Sequence, residues 1–188
     1  MPTLLTNASL LDADGRRAGW VLIDGDRIAS TGLTGVDAPP PAATTIDLRG
    51  RTVTPGFIDL HGHGGGGAAF DNGTEEIATA IAVHRAHGTT RSVISLVANP
   101  LVDVRESLAL VASLADDDPT IVGSHLEGPF LAIGRRGAHA PEFLREPDPQ
   151  TIQGLIDTGR GTIRQVTIAP ELPGALDAVR QFVDAGLV

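Results

Sequence analysis

Cysteine is absent from the 188 residues, and so is lysine. Without cysteine there is neither a disulfide framework nor a thiolate metal site. All 14 basic residues are therefore arginines, and 23 acidic residues outnumber them to give a formal net charge of -9. Such a chain repels polyanions, which argues against nucleic acid and against an anionic membrane surface as partners. No stretch approaches the roughly 20 apolar residues needed to span a bilayer. The first eleven residues, Met1 to Leu11, lack the basic and apolar segments of a secretion signal, so a cytoplasmic location is expected. What is present is 41% hydrophobic and 20% charged residue, a balance that suits a folded chain and not a disordered one.

Residues 1–54 read as a small β unit. Thr3–Thr6, Trp20–Ile23, Arg27–Ser30 and Ile46–Leu48 are short β-prone runs. Asp24-Gly25-Asp26 and Arg49-Gly50-Arg51 are turn signals, and Pro39, Pro40 and Pro41 forbid regular structure between the third and fourth runs. The unit holds few large apolar side chains and is not expected to bury a core by itself.

From residue 55 to 188 the pattern alternates. Strands are expected over Phe57–Leu60, Arg91–Val97, Thr120–Leu126 and Gln165–Ala169. Helices are expected over Thr74–His87, Leu101–Leu114, Asp148–Thr158 and Pro173–Ala185. Thr74 is the expected cap of the first helix, with Glu75 and Glu76 favouring its dipole. Val102, Leu108 and Val111 are the expected core positions of the second. This order predicts an α/β class with a parallel sheet and helical crossovers. Four such units make half of a (β/α)8 barrel, a fold of about 250 residues when complete. A finished four-stranded open sheet is the alternative. A half barrel would leave strand edges and an apolar face open to pairing or aggregation.

His61-Gly62-His63 follows the first of these strands. In extended chain, residues i and i+2 project to the same side, so both imidazoles can stand at the strand's carboxyl end, where parallel α/β folds carry their sites. His125 and Glu127 are spaced alike at the end of the third strand. Two imidazoles and a carboxylate suit a divalent ion such as zinc, iron, cobalt or manganese. Taken singly, each pair also reads as ordinary polar residues closing a strand. The run Gly64 to Gly67 lacks the Gly-Lys-Ser/Thr ending of a phosphate loop and reads as a flexible rim. Arg135-Arg136-Gly137-Ala138-His139 lies in a long loop after the third strand, where it serves either an anionic group or a solvated basic turn. His84 and His87 share one face of the first helix, about two strand lengths from the site, and read as structural or surface residues.

Pro55-Gly56-Phe57-Ile58-Asp59-Leu60-His61-Gly62-His63-Gly64 resembles the first-strand signature of the amidohydrolase superfamily. His125-Leu126-Glu127-Gly128-Pro129-Phe130-Leu131, Gly137-Ala138-His139 and Thr167-Ile168-Ala169-Pro170-Glu171 are similar to the N-acetylglucosamine-6-phosphate deacetylase family within it. The resemblance implies the first half of a distorted (β/α)8 TIM-type barrel, preceded by part of a small β-sandwich. It implies Glu127 as the principal metal ligand, His61 and His63 as ligands of a second ion, and Ala138 and His139 as contacts to the sugar. One or two divalent ions, a phosphosugar substrate, release of acetate and a homodimer at full length follow from the same likeness. Some amidohydrolases bridge their metals with a carboxylated lysine; none exists here, which leaves Glu127 for that place. The family's general base and remaining ligands are expected beyond Val188, so residues 1–188 alone are expected to be inactive. The alternatives are an amidohydrolase acting on another amide, or a metal-binding module without catalysis.

Overall fold

The computed structural model describes residues 1–188 and divides them into two units, Met1–Pro55 and Gly56–Val188. The first is a five-stranded sheet. Its strands are β1 (Thr3–Asp12), β2 (Gly15–Asp24), β3 (Arg27–Leu33), β4 (Thr44–Asp47) and β5 (Thr52–Val53). The order is β3-β2-β1-β4, with β5 beside the far end of β1. β1, β2 and β3 form an antiparallel meander, while β4 and β5 run parallel to β1. Gly25, at φ +61, makes the turn from β2 to β3, a left-handed position that favours glycine. The buried apolar side chains of the unit are Leu4, Ala8, Trp20 and Val21, and the Trp20 indole donates to the Asp37 carbonyl at 3.1 Å. β1 and β2 run several residues beyond the expected segments, because ladder pairing extends strands through residues with no β-prone signature, such as Ser9 and Arg16.

The second unit follows the expected alternation. It contains β6 (Phe57–Gly62), a two-residue ladder of β7 (Gly64–Gly65) and β8 (Ala68–Ala69), α1 (Thr74–Ala86) and β9 (Thr89–Val97). α2 (Leu101–Asp117), β10 (Ile121–Glu127), α3 (Pro149–Gly159), β11 (Ile163–Thr167) and α4 (Ala175–Asp184) complete it. The main sheet has the order β11-β10-β9-β6, with every pair parallel. Gln165 Nε2 on β11 donates to the Leu60 carbonyl on β6 at 2.8 Å. Strands three places apart in a flat sheet stand about 14 Å from one another, so a glutamine can join them only if the sheet curls. Next to β11, Val188 exchanges backbone bonds with Arg164 and Val166 (3.1 and 2.8 Å).

The core lies where the sheet meets the helices. Ile94 and Leu96 of β9 and Leu126 of β10 pack with Ile77 of α1, Leu108 and Val111 of α2, Ile152 and Leu155 of α3 and Phe182 of α4. Three local expectations need correcting. Val102 is 60% exposed, because Val104, Leu108, Val111 and Ala112 set the buried face of α2 and Val102 falls off it. Thr74 is the first residue of α1 and makes no cap; Gly73 takes that place. Instead Glu76 reaches back to accept from the Ala69 amide (2.7 Å) and Asn72 (2.8 Å). β11 starts at buried Ile163 and stops at Thr167, two residues earlier at each end than expected. Asp148 does cap α3, accepting from the Thr151 amide at 2.9 Å, with Pro149 in its first turn. No helix is long and apolar enough to cross a membrane.

Candidate metal centre

Parallel strands bring their carboxyl ends to one rim, and β6, β10 and their neighbours place polar side chains there. His61 and His63 stand on the same side of the chain, their rings edge to face with centroids 5.1 Å apart. Their Nε2 atoms are 3.1 Å apart. Glu127 Oε2 lies 2.7 Å from His63 Nε2 and 3.5 Å from His61 Nε2. These three ligand atoms lie within 4.8 Å of one another.

The arrangement fits a divalent cation. Ligand atoms around a tetrahedral ion at about 2.0–2.1 Å stand about 3.3 Å apart, close to the spacings found. His63 Nδ1 is buried with no hydrogen-bond partner, while Nε2 faces Glu127. Two imidazoles and a carboxylate turned towards one another need a proton or a cation among them. Gly64 takes φ +142, and a Cβ there would come within 2.0 Å of the Ala68 carbonyl. Glycine is therefore what lets β7 turn back on β8 directly after His63. The expected flexible rim is a formed ladder, and His84 Nε2 sits 2.9 Å from the Gly64 carbonyl. His84 is thus nearer the site than its sequence position suggests. His87 bonds only its own helix, at the Val83 carbonyl.

His139 reaches the same carboxylate. Its Nδ1 accepts from the Ala98 amide (3.2 Å) and its Nε2 lies 3.7 Å from Glu127 Oε2. Burial raises the Glu127 pKa, but His63, His61, His139 and His125, in that order, outweigh it and hold the group below its usual value. Asp71, just before α1, accepts from the Val97 amide at 3.2 Å, and burial pushes its pKa up despite His63 and His139 nearby. His139, Ala138, Arg135 and Arg136 line a cavity of about 610 Å³ that opens beside His63 and Glu127.

His125 points beneath this rim and is 1% exposed. Its ring packs edge to face on His61, 4.7 Å between centroids. Nδ1 lies 2.9 Å from Ser95 Oγ and Nε2 2.8 Å from Thr167 Oγ1. Desolvation first, then the neighbouring His61, lowers its pKa from 6.5 to about 4, so the ring is neutral. Ser95 and Asp71 carry no motif of their own in the sequence, and Thr167 opens the family-like run Thr167–Glu171 without being singled out there as a site residue. Strand register marks Ser95 and Thr167, and only the contact with the Val97 amide marks Asp71; both signals need the folded chain.

No family model matches the chain. Curated proteins do. An N-acetylgalactosamine-6-phosphate deacetylase of Escherichia coli O157:H7 is 31% identical over 168 residues, 87% of this chain and 44% of its own length. The N-acetylglucosamine-6-phosphate deacetylase of Vibrio furnissii is 33% identical over 147 residues, 76% of this chain and 37% of its own. Among solved structures, a point mutant of the N-acetyl-D-glucosamine-6-phosphate deacetylase of Mycobacterium smegmatis, in complex with N-acetyl-D-glucosamine-6-phosphate, superposes with a TM-score of 0.88. It has 43% identity over 100% of this chain and 48% of its own. This chain is a homologue of the N-acetylglucosamine-6-phosphate deacetylases. It spans about half the length of the relatives it matches, in keeping with their N-terminal portion. The corresponding enzyme of Pasteurella multocida gives a TM-score of 0.84 at 26% identity, again over half its length. The α/β fold with a curled parallel half-barrel sheet is thus that of the N-terminal part of these deacetylases.

Proposed function

We propose that this chain supplies the metal-holding rim of an amidohydrolase that cleaves the N-acetyl amide of N-acetylglucosamine 6-phosphate, giving glucosamine 6-phosphate and acetate. The observation that carries this reading is the convergence of His61, His63 and Glu127 at the mouth of one cavity, in a homologue of these deacetylases. His61, His63 and Glu127 would hold one or two ions of zinc, iron, cobalt or manganese. When bound, such an ion makes hydroxide available from water near neutral pH and polarises the amide carbonyl. Ala138 and His139 contact the sugar in this reading. His139 is suited to it, since its Nδ1 is taken by the Ala98 amide and its Nε2 is turned to the site. Arg135 and Arg136, on the same cavity, suit an anionic substrate.

The proposed larger architecture is a distorted (β/α)8 barrel with a β-sandwich. Residues 1–54 belong to the sandwich and 55–188 are the first four β/α units. A general base and further ligands come from outside these residues, and the whole acts as a cytoplasmic homodimer. The Escherichia coli relative named for the galactosamine epimer favours one second reading, in which the 4-epimer is the substrate.

The test has two arms. Residues 1–188 are expected to bind a divalent ion and to release no acetate. A chain carrying these residues at the relatives' full length is expected to release acetate from the 6-phosphorylated sugar far faster than from the unphosphorylated one. Absence of metal binding, or indifference to the phosphate, sinks the reading; the preferred epimer decides between the two substrates.

A further inference from the structure

Four strand tips of the curled sheet are joined by one line of hydrogen bonds. The Gly62 amide on β6 lies 3.2 Å from Ser95 Oγ on β9. Ser95 Oγ lies 2.9 Å from His125 Nδ1 on β10, and His125 Nε2 lies 2.8 Å from Thr167 Oγ1 on β11. Proton accounting gives this line a direction. The Gly62 amide can only donate, so Ser95 Oγ accepts there. Ser95 is fully buried, and the one acceptor within reach of its own hydrogen is His125 Nδ1. Any other arrangement strands a buried hydroxyl hydrogen without a partner, which folded proteins avoid. His125 Nδ1 is then unprotonated, and its single ring hydrogen sits on Nε2 and is given to Thr167 Oγ1. Thr167 has accepted, and its own hydrogen remains to be given.

Thr167 is exposed and lines the cavity with His63, Glu127 and His139. It is the ladder partner of Glu127 across β10 and β11, yet its hydroxyl hydrogen-bonds only to His125.

We propose that Thr167 is a ligand-contacting residue of this cavity, whose hydroxyl donates to an uncharged oxygen of the substrate, an amide carbonyl or a sugar hydroxyl. Ser95 and His125 are positioning residues that order its hydrogen. The substrate named here rests on the function proposed above; the ordering of the protons does not. The chain of bonds starts at the amide between His61 and His63 and ends beside Glu127, so the rim that would hold the metal also sets one donor of the ligand pocket. A hydroxyl that has already accepted cannot turn its hydrogen back towards His125, and is pre-oriented for an acceptor in the cavity.

The test uses the metal-loaded chain. Long-range proton–nitrogen NMR of the His125 ring is expected to place its hydrogen on Nε2, and Ser95→Ala to erode that preference. N-acetylglucosamine 6-phosphate and acetamide are then titrated into the wild type, Thr167→Val and Thr167→Ser. Thr167→Val should weaken binding by about tenfold, the value of one hydrogen bond, and Thr167→Ser should restore it. Amide spectra of both variants confirm that they remain folded. A hydrogen found on His125 Nδ1, or Thr167→Val binding as the wild type does, overturns the proposal. Acetamide binding that depends on Thr167, with no binding of the sugar phosphate, upholds the donor and sinks the substrate assignment instead.

Discussion

Glu127 Oε2, at the end of β10, is 2.7 Å from Nε2 of His63, the residue that follows β6. Strands β6 and β10 are not neighbours, since β9 lies between them. The carboxylate therefore spans the concave side of the curl, and the site depends on the sheet's curvature as well as on its sequence.

Removing that carboxylate should empty the site. Glu127→Ala is expected to lower the affinity of residues 1–188 for zinc or cobalt by more than about 100-fold, beyond the loss usual for residues that only orient ligands. Isothermal titration and the visible spectrum of the cobalt form would measure it. Unchanged affinity would place the ion elsewhere.

Gly64 should matter to metal binding without being a ligand. A Cβ at this position meets the Ala68 carbonyl at 2.0 Å, so Gly64→Ala must reopen the β7–β8 ladder that follows His63. Metal affinity is expected to drop by about tenfold or more while the core stays folded. The same titration, with a thermal melt alongside, separates the two effects.

Acid should destabilise the metal-free chain in a defined window. His125 is held near pH 4 when folded and returns to 6.5 when unfolded, so between these values the unfolded chain binds the extra proton. Stability is complete above the upper value and falls as pH drops through the window. Urea midpoints measured from pH 7 to pH 4 in the presence of chelator would reveal the slope. His125→Asn should flatten it, and a slope unchanged in that variant would assign the effect to other groups.

The core prediction concerns Leu108, fully buried between α2 and the sheet. Leu108→Ala is expected to cost about 2–5 kcal/mol, the usual range for a buried leucine that leaves a cavity. Exposed Val102, six residues earlier on the same helix, should cost under about 0.5 kcal/mol when changed to alanine. Chemical denaturation of the two variants compares them directly.

Much of this was legible in the sequence where the signal is local. The i, i+2 spacing of His61 and His63 needs only an extended chain, and the alternation from Phe57 onward needs only periodicity. Glu127 was legible because a glycine–proline break closes its strand. Val102 departs from expectation because apolar character alone does not carry the helical phase that Val104, Leu108 and Val111 impose. Ser95 carries no signal in the sequence, and Thr167, although it opens the Thr167–Glu171 run, carries none for its place in the site. Each is an ordinary polar residue until parallel register sets it beside His125, and register between strands separated by whole helices is a property of packing.

The bond from Gln165 to the Leu60 carbonyl has a consequence for how such a chain can change over time. It ties the first and last strands of the four from inside the curve, independently of the helices on the outer side. Insertions or drift in the outer helical layer can then accumulate while the inner radius holds, so the spacing of the imidazoles and the carboxylate is insulated from the part of the molecule most free to diverge.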